Sequence, residues 1–363
     1  MANPFPPRPA QPVTASDVRR ALLLIGLLIL GLVLLPSAVR QWTDWLWFRD
    51  LGFERVLVTR IVAQWAIGSL AAVIAFVTLY GNARLAMRGA ALDHVLSMQP
   101  GMTPDLRALS AGVSRAATAL LLPASGFVAI FVGLGAAAAW QTVLGFIHRQ
   151  PFGATDPIFG RDIAYYVFTM PLLEVGLGLA TLIALLSAFA AAFIYLTRGY
   201  LRRAARGFFI DPAAGIHLAT IIAVLLVLSA IRTRFVGIPS LLMSRHTPLF
   251  GASYADLHVS LPIMNGLAIL ALIAAVVVLG ASLRGRNFGV AAQAIAVYIG
   301  ASILGALIPV GYQRVVVQAN ELSRETPQIL HHIQATRKAW GIDSVERREL
   351  QAEAQLTPAD IAA

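Results

Sequence analysis

Few side chains in this 363-residue chain could do chemistry, and they fall into two settings. Glu174 lies within an apolar stretch, where an ionised carboxylate is expensive and marks an ion or proton pathway unless something simpler explains it. It sits near the end of that stretch, so headgroup contact or pairing with Arg161 explains it as well. His217 lies near the end of another apolar stretch, close to the opposite face, too far from Glu174 for a proton relay. Gln64, Asn265 and Gln293 are amides of the kind that hydrogen-bond between membrane helices.

The second setting is polar. His148, Asp156, Asp162, Asp256 and His258 fall in two segments on one side of the chain's path, and carboxylates and imidazoles are ligands for zinc or another divalent ion. Asp156, Asp162, Asp256 and His258 are therefore candidate metal ligands. Asp256 and His258 face one way only if their segment is extended. Solvated loop charges and turn caps explain the same residues. His331 and His332 are adjacent on an expected helix and diverge by about 100°, which makes them poor joint ligands.

Cysteine is absent, which removes disulfides, thiolate nucleophiles and cysteine-held zinc or iron–sulfur clusters. Lys338 is the one lysine, so a phosphate loop ending in lysine and a Schiff base to retinal in the last apolar segment are both excluded. Neither an HExxH zinc motif nor a GxSxG nucleophile elbow occurs. No catalytic or cofactor-binding residue is assigned, and no cofactor is expected. The net charge of +10 comes from arginines at the ends of apolar segments, which points to a lipid surface rather than nucleic acid.

These groups must be positioned by helices in a bilayer. The chain is 58% hydrophobic and 13% charged, far from the roughly 25% charged of a soluble domain. The run Ala21–Val39 follows Arg19 and Arg20, holds no charge, and covers most of a roughly 30 Å hydrocarbon core as a helix. Further apolar runs near 61–80, 117–140, 172–196, 213–231, 264–283 and 288–310 give an all-α bundle of about seven transmembrane helices. The last two are joined by Arg284-Gly285-Arg286-Asn287, which makes them antiparallel neighbours. Trp42, Trp45, Trp47, Phe48 and Phe53 form an interfacial aromatic belt. Ser125, Ala129, Gly133 and Ala137 recur at four-residue spacing and predict a close helix-packing seam, with Pro123 a kink.

Arginines are more numerous in the connections on the N-terminal side of an alternating seven-span path, which places the N-terminus in the cytoplasm and the C-terminus outside. Residues 1–20 read as a proline-rich disordered cytoplasmic lead-in, 21–310 as the membrane domain, and 311–363 as the start of an extracytoplasmic domain. Within the last, Thr326 and Pro327 predict a helix start and Gly341 its end. Its stripe of Ile329, Ile333, Thr336 and Trp340 predicts a docking face. Thr357-Pro358-Ala359-Asp360 repeats the helix-start signal just before the last residue. The chain therefore reads as the front portion of a longer protein.

Four ordered stretches carry a family resemblance: TDWLWF, DPIFGRDIAYYVF, FGASYADLH and VVVQANELSRETPQILHHIQATRKAWGID. With these the chain resembles the uncharacterised protein family 0182, large bacterial multi-pass membrane proteins. The resemblance implies about seven spans followed by a large extracytoplasmic region, and it implies no activity and no catalytic residues. The expected function is a plasma-membrane anchor or platform for an extracytoplasmic domain in cell-envelope assembly or maintenance, with the bilayer and envelope proteins as partners. A transporter or channel for an ion or small solute, resting on the number of spans, the Pro123 kink and Glu174, is the alternative. An envelope enzyme comes third, its chemistry in the extracytoplasmic region. Small-residue seams serve a homo-oligomer and a single bundle equally well.

Overall fold

The structure, a computed structural model, describes residues 15–88, 104–204, 207–246, 249–285 and 288–346. Residues 1–14 of the proline-rich lead-in, the turn at Gln99-Pro100-Gly101 and the terminal Thr357–Asp360 signal lie outside the described residues, while residues 15–20, expected to be disordered with the lead-in, belong to a helix instead. Two compact units, Met1–Ile67 and Gly68–Ala363, divide the chain.

In the first unit, α1 (Ala15–Asp50) carries the first apolar run and continues through the aromatic cluster. Gly52, at φ +72°, makes the tight reversal into α2 (Glu54–Met87), a backbone conformation that costs glycine least. Arg60 donates to Asp44 at 3.0 Å. Trp42, Trp47 and Phe53 stand exposed, as rings at a membrane–water boundary do.

The second unit takes up the rest of α2 and adds α3 (Pro104–Ala137), α4 (Trp140–Ile147), α5 (Met170–Thr197), α6 (Pro212–Arg232), α7 (Leu261–Leu283), α8 (Phe288–Tyr312) and α9 (Glu321–Ala339). Two small antiparallel hairpins interrupt the helices. One pairs β1 (Leu201–Ala204) with β2 (Gly207–Ile210), the other β3 (Arg245–His246) with β4 (Leu249–Phe250).

Among the described residues six helical runs are long and apolar enough to cross a membrane: Glu54–Met87, Ala119–Ala137, Tyr165–Thr197, Pro212–Met243, Asp256–Leu283 and Gly289–Ala339. They correspond to the second to seventh expected spans. Their packing is inverted relative to a water-soluble core. Alanines such as Ala191, Ala223, Ala271 and Ala275 are buried, while Phe189, Phe193, Trp65 and Val276 face outward. Lipid is as apolar as leucine, so close backbone approach rather than expulsion of large side chains drives such packing.

The small-residue seam of α3 finds its partner on α2. A Cβ on Gly133 would lie 2.6 Å from the Gly68 carbonyl oxygen and 2.8 Å from Ala72 Cβ, so the two backbones touch. Ala75, Leu79, Ala129 and Val132 continue the contact, with Ile183 of α5 against it. Helices α6 and α7 pack through Ala219, Ala223, Leu226, Ala274, Ala275 and Val278. The expected neighbours α7 and α8 do pack together, with Gly285 at φ +61° in their connection.

The last long run is too long for one crossing. Its 51 residues would span about 77 Å as one helix, far more than the hydrocarbon core. Asn320, at φ −146° and ψ 56°, breaks it and sets α9 apart from α8. The expected start of α9 at Thr326 is therefore corrected to Glu321. Thr326 does not cap; its hydroxyl donates back to the Leu322 carbonyl, and Pro327 lies inside the helix. Gly341, at φ +65°, ends the helix as expected.

Candidate functional site

Four single π-turns share one end of the bundle. They are Tyr165–Thr169 before α5, Thr233–Gly237 after α6, Asp256–Ser260 before α7 and Gln313–Val317 after α8. Because the second packs on α7 and the third on α8, they lie together. Such turns recur at functional sites. Here three of them have a local cause. Pro171, Pro239 and Pro262 follow directly, and proline clashes with the carbonyl four residues earlier and offers it no N–H. Those carbonyls belong to Val167, Phe235 and His258, each inside a π-turn. Phe235 receives a replacement donor, the Tyr165 hydroxyl.

The segment before the first π-turn is a closed loop around two carboxylates. Asp156 Oδ1 accepts the N–H groups of Ile158 and Phe159, and Oδ2 accepts that of Arg161 at 2.8 Å and the Tyr166 hydroxyl at 2.9 Å. Burial pushes the Asp156 carboxyl up, but these donors together outweigh it and hold it below the usual range. Asp162 accepts from Ala164 at 2.7 Å, Phe152 at 3.1 Å and Gly153 at 3.0 Å, and these amides, Ala164 foremost, lower its pKa as well. Gly153 and Gly160, at φ +69° and +66°, supply the turns. Arg161 lies 4.2 Å over the Tyr165 ring.

The other pair sits in the Gly251–Ser260 segment. Asp256 is buried; its Oδ2 accepts the Ser244 hydroxyl at 2.6 Å and the Ser253 N–H at 3.0 Å. His258 stacks on Tyr254, with ring centroids 3.9 Å apart, and its Nδ1 lies 3.0 Å from the Tyr254 carbonyl. The segment is helical, not extended, so Asp256 and His258 do not share a face in the way the D-L-H spacing allowed. Among the described residues no three of histidine, cysteine, aspartate and glutamate gather as metal ligands. His148 caps the end of α4.

Glu174 pairs with Arg232 at 3.8 Å rather than with Arg161, and both side chains are about half exposed. His217 is not a lone interfacial group. Its Nδ1 is 2.9 Å from the Tyr195 hydroxyl and its Nε2 2.9 Å from Asn82 Oδ1, which ties α6 to α5 and α2.

Helix α9 docks on the Phe250–Tyr254 segment. The Tyr254 N–H donates to Glu325 Oε2 at 2.9 Å, Arg324 lies 5.4 Å over the Tyr254 ring, and His332 Nδ1 sits 3.2 Å from the Phe250 carbonyl. The buried face is thus polar, Glu325 and Gln328, with Ile329 and His332 half-buried beside it. The expected stripe docks only at Ile329; Ile333 and Trp340 remain exposed, Trp340 at 78%. Asn82, Tyr195, Glu325 and Gln328 escaped sequence reading. One signal was available: Glu325 and Gln328 are three apart on one helical face.

Compared with known proteins, the chain matches the uncharacterised protein family UPF0182 over residues 21–363. It belongs to that family. The UPF0182 protein of Pelobacter propionicus is 32% identical over 345 residues, 94% of this chain and 38% of the relative. That of Cupriavidus necator is 31% identical over 348 residues, 92% of this chain and 36% of the relative. That of Desulforamulus reducens is 28% identical over 358 residues, with 93% and 38% covered. The chain therefore spans less than two-fifths of the length of these curated UPF0182 relatives. No solved structure matches it.

Proposed function

We propose that this UPF0182 chain is a seven-span plasma-membrane platform. Ala21–Val39 is its first span, its N-terminus is cytoplasmic, and α9 leads into an extracytoplasmic portion that acts in cell-envelope assembly or maintenance. The observation that carries this reading is the docking of α9. The segment leaving the last span is held to the Phe250–Tyr254 segment by a buried carboxylate, a stacked guanidinium and an imidazole, which gives anything attached beyond it a fixed base. Envelope proteins and the bilayer are its partners. The transport reading rests chiefly on Glu174, and the pairing of that residue with Arg232 explains it without a translocated ion.

The absence of cysteine allows a direct test. Single cysteines replace exposed Met243, Ser344 and Arg284, and intact cells are treated with a membrane-impermeant maleimide. Ser244 is unsuitable, because its hydroxyl holds Asp256. Labelling of Met243→Cys and Ser344→Cys without Arg284→Cys supports the outward platform. The reverse pattern overturns it. Solute flux in proteoliposomes that disappears in Glu174→Gln supports the transporter in its place.

A further inference from the structure

Helices α5 and α7 are entered, and α6 and α8 left, through a π-turn, so Thr197, Pro212, Leu283 and Phe288 lie at the other end of the bundle. Between these four helices, at that end, is a cavity of about 360 Å³, a size that ligand pockets share. Leu201 and Ile210, a cross-strand pair of the β1–β2 hairpin, form part of its wall. Ala188 and Ala192 on α5 and Gly215 on α6 line it and are too short to fill the space.

The polarity of the lining changes with depth. Its polar side chains, Asp211 and Ser282, stand at helix ends, Asp211 as the cap of α6 and Ser282 next to the last residue of α7. Ile222 lies ten residues, about 15 Å, into α6, and Ala188 lies nine residues, about 14 Å, from the end of α5. The cavity therefore reaches about one leaflet deep in a hydrocarbon core roughly 30 Å thick. Water finds few hydrogen-bond partners against Ile222, Val278 and Ile295, so the deep part suits a hydrocarbon chain and the mouth a polar group. Arginines are placed at that mouth. Arg202 and Arg203 follow Leu201 directly in β1, within about 7 Å of it along the strand, and Arg284 is exposed at the end of α7. Arg198 is set apart from them, because it donates to the Met87 carbonyl. The Asp211 carboxylate accepts the N–H groups of Ala213 and Ala214, at the helix start that already compensates a negative charge.

We propose that this cavity binds one anionic phospholipid of the surrounding bilayer, with an acyl chain between the helices and the phosphate at the arginine-bearing mouth formed by β1 and the end of α7. Basic pockets between membrane helices select anionic headgroups. A zwitterionic lipid brings the same chains without the net charge, and a free phosphate brings charge without a chain; only the anionic lipid matches both parts of the cavity. The bound lipid fills a space that side chains leave empty and joins the β1–β2 hairpin to the ends of α5, α6, α7 and α8. The inference requires the chain to span a bilayer. It does not depend on the platform reading or on which side of the membrane this end faces.

Native mass spectrometry of the full chain in detergent reads the bound lipid directly. Dioleoyl phosphatidylglycerol should saturate at one tight site per chain and bind about tenfold or more tightly than dioleoyl phosphatidylcholine, since each basic residue near the surface contributes roughly fivefold. Glycerol phosphate should not compete, and a phosphatidylglycerol with short chains should bind weakly. Arg202→Gln combined with Arg203→Gln should remove most of the preference and leave phosphatidylcholine binding unchanged. Ala192→Phe, which fills the cavity, should weaken both lipids together. Phosphatidylglycerol should also raise the melting temperature of the unmodified chain more than phosphatidylcholine does, a readout that survives any misfolding of the variants. Equal binding of the two lipids overturns the proposal, as does an Ala192→Phe chain that melts like the unmodified one and binds phosphatidylglycerol as tightly. Competition by glycerol phosphate assigns the arginines to a free phosphate, and a dimer that retains no lipid assigns the cavity to a second copy of the chain; either result also overturns it.

Discussion

The Tyr165 hydroxyl donates to the backbone carbonyl of Phe235, the atom that Pro239 leaves without an N–H four residues later. One residue of a sequence-distant π-turn thereby repairs a helix defect on another span. The same end of the bundle contains the Val236 packing against Tyr166 and Met170, so the two π-turns are joined by both a polar and an apolar contact.

This relationship predicts coupling between Tyr165 and Pro239. Tyr165→Phe should destabilise the detergent-solubilised chain by about 0.5–1.5 kcal/mol, the net value of one such hydrogen bond. Pro239→Ala restores an N–H near the same carbonyl, so the cost of Tyr165→Phe should shrink in that background. A double-mutant cycle read by denaturant or thermal unfolding measures the difference. Additive costs would show that the hydroxyl does not replace the missing amide.

The contact of Gly68 with Gly133 predicts intolerance of side chains. A methyl group on Gly133 meets backbone oxygen and Ala72 Cβ rather than the flexible end of a side chain, so the helices must separate. Gly133→Ala should cost about 1–3 kcal/mol, the usual range for overpacking. Gly135→Ala, two residues away with open space around its Cβ position, is the control and should be near neutral. Thermal unfolding of the two variants decides.

The seam was legible because its cause is local: four small residues at helical spacing need no knowledge of the partner. Span positions followed from composition for the same reason. The arrangement around Glu325 was not legible, because the reading assigned the apolar stripe of α9 to docking. The face in fact chosen is set by the Tyr254 amide and by the break at Asn320, neither visible as a period. Asp156 and Asp162 have the residue types of metal ligands, and only the loop's closure shows how many backbone N–H groups they satisfy. His217 was visible, but Asn82, 135 positions earlier, could not be paired with it from spacing.

The Asn82–His217–Tyr195 chain predicts non-additive losses. Tyr195→Phe and Asn82→Leu each remove one partner of the ring, and each should cost about 0.5–2 kcal/mol, in the range found for hydrogen bonds between membrane helices. The double variant should cost less than the sum, because the ring then loses its fixed orientation only once. Full additivity in thermal unfolding would mean that the two contacts act independently.

Asp156 predicts how stability falls in acid. Its folded-state pKa lies below the ordinary value of 3.8, so its contribution is present above that value and is lost as the pH falls through the lower folded one. Asp156→Asn retains an acceptor for Ile158 and Phe159 but turns an NH2 group toward the Arg161 N–H, so at neutral pH it should be less stable, by about 1–2 kcal/mol, as for a lost capping carboxylate. The difference between unmodified chain and variant should hold steady from neutral pH down to the ordinary carboxylate range, then narrow steadily in stronger acid. Asp162 titrates in the same direction in both proteins, and therefore cancels from the difference. Melting temperatures measured across that range would refute the account if the gap stayed constant, because the loop would then be held by its shape and not by the charge of Asp156.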